Sequence, residues 1–191
     1  MPFSQSSQIS TILAYIEQLA PKSILDVGTG MGQYGFLART NLENINLFQI
    51  EEGRGWQRPK TEWRVRIDGI EVCDVYLTPV HEYAYNQLMI GDAMRILPTI
   101  ADNHYELVLA IDILEHYSKA EGVVFLNHLK IIACKAVLVS TPKIFMPQDV
   151  PANPYENHRS LWHKTELLEN QFSKLLDNSE SWIAYYEKNG V

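Results

Sequence analysis

Four carboxylates and a run of glycines are the residues in this chain best placed to do chemistry. The stretch Asp26-Val27-Gly28-Thr29-Gly30-Met31-Gly32-Gln33-Tyr34-Gly35 closes a short apolar run, Ile24-Leu25-Asp26-Val27. Glycine has no Cβ and tolerates positive φ, so a turn of this kind brings backbone N–H groups close to a ligand at the start of a helix. Gly30, Gly32 and Gly35 also meet the spacing of a dinucleotide-phosphate fingerprint. Asp26 argues for another ligand, because a carboxylate at the strand end repels a diphosphate and attracts a cation. Three further acids stand at the ends of later apolar runs: Glu71 after Ile67-Asp68-Gly69-Ile70, Asp92 after Ile90-Gly91, and Asp112 after Ala110-Ile111.

These acids can meet only if the strands that carry them are parallel, since the carboxyl ends of an open parallel sheet converge on one crevice. Residues 24–27, 67–72, 87–90, 107–111 and 136–140 read as strands. Helical spacing recurs over 8–19, where Ile9, Ile12, Leu13, Ile16 and Leu19 form a stripe that Pro21 ends, and over 33–39, 78–85, 119–132 and 164–171. Strand and helix alternate, which predicts an α/β fold: a mostly parallel sheet covered on both faces. Residues 173–176 and 182–186 read as two more strands joined by the turn-rich Asp177-Asn178-Ser179, a hairpin at one edge that completes a seven-stranded sheet. Residues 41–66 and 142–160 show no period. Both are long enough to be functional loops on the substrate side.

With 191 residues, 46% of them hydrophobic and 20% charged, the chain has the size of a single domain spanning 1–191 and needs no disulfide. Cys73 and Cys134 lack the spacing of a metal or redox pair and read as buried thiols. No apolar run approaches the roughly 20 residues that span a bilayer, and the first residues lack a secretory pattern, so a cytoplasmic protein is expected. A net charge of −7 opposes broad attraction to nucleic acid or an anionic membrane. Monomer and homodimer are equally open.

The motifs together resemble those of class I, Rossmann-like S-adenosylmethionine (SAM)-dependent methyltransferases over about residues 20 to 186, and the fold implied is a three-layer αβα sandwich. In the resemblance, Asp26, Gly28, Thr29, Gly30, Gly32 and Tyr34 belong to the turn around the methionine part of SAM, whose ammonium and sulfonium suit Asp26. Glu71 matches the acid that holds the ribose hydroxyls, Asp92 and Ala93 the segment at the adenine amino group, and Asp112 closes the fourth strand. Leu107-Val-Leu-Ala-Ile-Asp-Ile-Leu-Glu-His116 resembles the subgroup that methylates small molecules. About 40 residues separate the glycines from Glu71 where about 20 are usual, which leaves Asp68 and Asp74 as competitors. Chains with a similar Trp63-to-Glu71 segment are bacterial methyltransferase-like proteins without a known substrate.

The resemblance implies methyl transfer from SAM to an O, N or C nucleophile on a small molecule, with S-adenosylhomocysteine (SAH) as product. His116 and Glu115 fall on the acceptor side. A histidine there has a free pKa near 6.5, suited to removing a proton, although an in-line displacement also proceeds by positioning alone. Tyr155, His158 and Trp162 are candidates for closing the substrate pocket. His158 and His163 suggest no metal site, since no carboxylate or thiol near them in sequence completes a ligand set. Arg54, Arg58, Lys60, Arg64 and Arg66 lie among acids and read as self-paired. Two rivals remain open: a SAM-binding protein without catalysis, and a nicotinamide-dependent oxidoreductase.

Overall fold

In the computed structural model, which describes residues 4–188, strands and helices alternate as the pattern requires. The strands are β1 (Ser23–Val27), β2 (Phe48–Glu51), β3 (Arg54–Gln57), β4 (Arg66–Glu71), β5 (Gln87–Ile90), β6 (Tyr105–Ile111), β7 (Ala133–Pro142), β8 (Lys174–Leu176) and β9 (Ser181–Glu187). The helices are α1 (Ile9–Leu19), α2 (Gln33–Glu43), α3 (Pro79–Ala84), α4 (Ala93–Ile96), α5 (Lys119–Ile132) and α6 (Lys164–Glu169). Seven strands form one sheet in the order β5-β4-β1-β6-β7-β9-β8. β9 runs antiparallel to β7 and β8, and the remaining pairs are parallel.

Both faces of the sheet are covered, which is why its central strands read as unbroken apolar runs rather than as alternating ones. Along β6, Leu107, Leu109 and Ile111 pack into one layer with Ile12, Ile16, Ala38 and Ala84 of α1, α2 and α3. Val108 and Ala110 point the other way, into a layer with Ala93, Phe125, Leu129 and Leu167 of α4, α5 and α6. The start of α5 is fixed by a capping box, in which Ser118 Oγ accepts from the Glu121 N–H and the Glu121 carboxylate accepts from the Ser118 N–H at 2.9 Å. Cys73 and Cys134 are free thiols, half-buried rather than buried as the sequence suggested; Cys73 lies just past β4 and Cys134 at the start of β7.

Residues 41–66 hold an antiparallel hairpin, β2–β3, that stands outside the main sheet. Its tight turn places Glu52 and Gly53 at φ 50° and 76°, the left-handed pair that two-residue hairpin loops demand. Ile50 and Trp56 are exposed, so the hairpin has no buried face to impose a period of two. Contrary to expectation, no residue of 41–66 lines the large cavity described below. Among the basic residues of 41–66, Arg58 pairs with Glu62 at 3.1 Å, Arg66 pairs with Asp68 at 2.6 Å, and Lys60 donates to the carbonyls of Glu82 and Tyr85.

A buried charge roots this segment. Arg39 and Glu43, one turn apart on α2, are both fully buried and lie 3.3 Å from each other. The guanidinium donates to the carbonyls of Ala84 and Val65 and to Asn86 Oδ1, while Glu43 Oε1 accepts from the N–H groups of Arg64 and Val65. Removing one partner of such a pair strands the other charge in the interior, at a cost of about 3–5 kcal/mol. Arg39→Ala is therefore expected to lower unfolding stability by that amount in urea titration; a loss under about 1 kcal/mol would show that the network does not hold the segment.

Candidate functional site

The carboxyl ends of β1, β4, β5 and β6 open on a cavity of about 420 Å³ whose wall includes Gly28, Thr29, Gly30, Glu71, Asp92 and Asp112. The glycine turn forms its floor. Gly28, Gly30 and Gly32 all adopt positive φ, of 76°, 54° and 84°, so the turn is built of conformations that side chains resist. The turn is tied to the neighbouring strand, because the N–H groups of Gly28 and Thr29 both donate to the Ile70 carbonyl, at 2.8 and 3.1 Å.

Beneath the turn lies a buried polar network that no single stretch of sequence reveals. The Tyr85 hydroxyl donates to Asp26 Oδ2 at 2.6 Å and accepts from the Gly35 N–H at 3.2 Å. Gly35 must lack a side chain for this, since a Cβ there would stand 2.1 Å from the Tyr85 ring. His81 stacks on Tyr85 and braces the turn from α3. Its Nδ1 accepts from the Thr78 N–H, so the proton sits on Nε2, which donates to Thr29 Oγ1 at 3.1 Å. Burial holds the His81 pKa below its ordinary value and keeps the ring neutral.

Asp26 thus requires a correction. It is 2% exposed and does not reach the cavity wall, because Tyr85 and the base of the turn enclose it; its charge acts from below rather than by contact. Burial raises its pKa from 3.8 to about 6 against the opposing hydrogen bond from Tyr85. Gly32 also stays off the wall, where it leads into α2 and faces His81.

The other acids do face the cavity. Glu71 Oε2 accepts from the Gly30 N–H at 2.8 Å and Oε1 from the Cys73 N–H at 2.9 Å, and burial still pushes its pKa up. Its competitors are elsewhere: Asp68 is buried against Arg66 and the Tyr105 hydroxyl, and Asp74 is exposed in the following turn. Asp92 caps α4, its Oδ1 accepting from the Met94 N–H at 2.9 Å. Asp112 adopts φ 53° at the end of β6, held by Ser140 Oγ at 2.9 Å and Gln8 Nε2 at 2.5 Å. Burial raises its pKa as well. Ala93 and Tyr34 complete this part of the wall.

The opposite wall comes from residues 113–121 and 153–159. His116 and Tyr155 line it, the latter 54% exposed, together with Arg159 and Glu121, an ion pair at 2.9 Å on the rim. Burial, and next the neighbouring His158, hold His116 below the ordinary histidine pKa. Glu115 is turned away beneath the wall, and its pKa is pushed well up by burial and then by Asp112. His158 is off the wall too, stacked edge-on against His116 with ring centres 5.0 Å apart. Trp162 is a second correction: it is 1% exposed in the core beneath α5, over Gly122, with its Nε1 donating to Ser160 Oγ at 2.9 Å. Arg159 and Glu121 escaped the sequence reading, although the Ser118-to-Glu121 capping spacing placed Glu121 in the right turn.

The sequence matches no family model and no curated protein. The architecture has many solved counterparts. The PH0226 protein of Pyrococcus horikoshii OT3 superposes with a TM-score of 0.62 at 14% identity, over 96% of this chain and 88% of that one. Magnesium protoporphyrin IX methyltransferase of Synechocystis PCC 6803 with bound SAH gives 0.61 at 15%, over 95% and 82%. A SAM-dependent methyltransferase of Aquifex aeolicus gives 0.60 at 14%, over 96% and 94%. The fold is that of the class I methyltransferases. These superpositions show a shared architecture and no more. Among the described residues no helix is long and apolar enough to cross a membrane.

The Asp26 pKa carries a sign that can be measured. A carboxyl raised from 3.8 to about 6 by folding binds its proton more tightly in the native state, so its contribution to stability falls as pH rises through that window. Asp26→Asn removes this dependence and keeps an acceptor for Tyr85. The stability difference between variant and wild type is expected to shift in the variant's favour by about 2 kcal/mol between pH 4 and pH 7, at about 1.4 kcal/mol per pKa unit. A difference that stays constant with pH would show that Asp26 is not desolvated.

Proposed function

We propose that the cavity binds SAM and that the protein transfers its methyl group to a small-molecule acceptor, releasing SAH. The observation that carries this is the charge of the wall: Glu71, Asp92, Asp112, Glu121 and Glu156 against Arg159 alone among Lys and Arg residues. Burial has already raised the pKa values of Glu71 and Asp112, so a positive ligand relieves a cost that the fold has incurred. SAM carries an ammonium and a sulfonium, and SAH keeps the ammonium. A dinucleotide diphosphate fits poorly, since the Gly30 N–H that would bind it already donates to the Glu71 carboxylate.

In this reading Gly28, Thr29 and Gly30 pass beneath the methionine part, Glu71 takes the ribose hydroxyls, and Asp92 with Ala93 flanks the adenine. Asp112 and Tyr34 lie beside the sulfur end. The methyl carbon then points toward His116 and Tyr155, where the acceptor enters. The transfer is an in-line displacement at an activated carbon, so holding the nucleophile on the axis supplies much of the acceleration. His116 adds a lone pair at that place. Its Nδ1 lies 3.2 Å from the Asn157 carbonyl, which only accepts, so Nδ1 carries the proton and Nε2 is free. The solved counterpart with bound SAH supports the same ligand here. Cytoplasmic residence is part of the proposal, and so is the absence of a nucleic-acid partner, the latter on the net charge of −7.

Calorimetry with SAH and with NAD tests the cofactor. SAH is expected to bind and NAD not to; the reverse order would replace the methyltransferase reading with an oxidoreductase one. Gly30→Val is expected to abolish SAH binding, because a β-branched residue does not tolerate φ near 54° and its side chain meets the ligand. Normal binding by this variant would place the ligand elsewhere. Tight SAH binding with no methyl transfer to any member of a broad metabolite panel would point to a binding protein without catalysis.

A further inference from the structure

Beside the cavity, three side chains from two distant segments converge. Glu115 and His116 follow β6, and His158 belongs to the loop after β7. One potential ligand atom from each lies within 4.8 Å of the others. Atoms that share a metal at about 2.1 Å stand roughly 3.0–3.4 Å apart, so a contraction of about 1.5 Å at the widest pair completes the geometry.

The hydrogen bonds around the cluster prepare it for an ion. His116 Nδ1 lies 3.2 Å from the Asn157 carbonyl and His158 Nδ1 lies 2.6 Å from the Met146 carbonyl. Carbonyls only accept, so both rings carry their proton on Nδ1 and present a bare Nε2 lone pair. An Nδ1–H bonded to a carbonyl is the arrangement that orients metal-binding histidines and sets their tautomer. Glu115 is 4% exposed, and its Oε2 is buried with no hydrogen-bond partner among the described residues, the nearby Thr141 hydroxyl being likewise unpaired. A buried carboxylate oxygen without a partner costs free energy, which either a proton or a cation shared with the neighbouring imidazoles relieves.

We infer that Glu115, His116 and His158 form a binding site for a divalent first-row transition-metal ion at the acceptor edge of the cavity. Two imidazoles and a carboxylate suit zinc, manganese or cobalt, and three protein ligands leave positions open to a substrate oxygen. This deepens the methyltransferase reading and rests on it for its chemistry. An acceptor hydroxyl bound to the ion loses its proton to solvent at a lowered pKa. Its oxygen then forms the bond to the methyl carbon as the sulfur–methyl bond breaks, the electron pair staying on sulfur as the sulfonium becomes the thioether of SAH. His116 acts as a ligand here rather than as a base. The sequence suggests no metal site for His158 and His163; His163 is exposed and caps α6, and it is His116 that lies against His158.

The test is metal binding by the chelator-stripped full chain, followed by calorimetry with Zn²⁺ and Mn²⁺ and by the visible spectrum with Co²⁺. One ion per chain is expected for at least one of them, and the Co²⁺ bands should carry the signature of imidazole ligands. His158→Ala and Glu115→Gln are each expected to weaken binding at least about tenfold, and His163→Ala to leave it unchanged. No stoichiometric ion, or wild-type affinity in both of the first two variants, would overturn the site. SAH titrated separately keeps the two proposals apart: SAH binding without metal uptake sinks the metal site alone, while metal uptake without SAH binding supports the site and sinks the methyltransferase reading.

Discussion

The hydrogen bond from Tyr85 to Asp26 is the interaction on which the cavity depends. It places a carboxylate under the glycine turn, and the same hydroxyl takes the Gly35 N–H at the start of α2. Strand, turn and helix are thereby fixed to α3, whose His81 holds Thr29 from the side. A turn built from three positive-φ glycines has little conformational preference of its own, so its shape must come from such external ties. The cost is the desolvation of Asp26, which the rest of the fold meets through burial of two apolar layers.

From this follows the division of labour among the acids. Asp26 supports the floor, Glu71 and Asp112 face the cavity, and Asp92 caps α4 on its wall. Parallel strands bring them together because each leaves the sheet at the same edge. The result is a wall with an excess of negative charge around a partly closed space, in which a cation gains far more than in water. The acceptor side is built differently. It pairs the short segment after β6 with the loop after β7, so its histidines come together only once the sheet has formed.

Much of this was legible in the residues. The strands β1, β5 and β6 and the helix α5 announced themselves by apolar runs, glycines and helical spacing, and the acids at the strand ends followed from topology. What escaped shares a physical cause: it depends on contacts between distant segments. Tyr85 looks like any aromatic on a short helix until Asp26 is seen beneath it. Trp162 looked available to a substrate because a tryptophan in a polar loop gives no sign that Gly122 has made room for it in the core. The hairpin β2–β3 left no alternation because neither face is buried, and Glu115 and His158 lie 43 positions apart.

The most direct measurement is a crystal structure of the chain with SAH. The account requires the methionine part over Gly28 and Gly30, the ribose hydroxyls on Glu71, and the sulfur facing Asp112 with open space toward His116. Density for the ligand outside this cavity, or a ligand phosphate lying against Gly30 in place of Glu71, would contradict it.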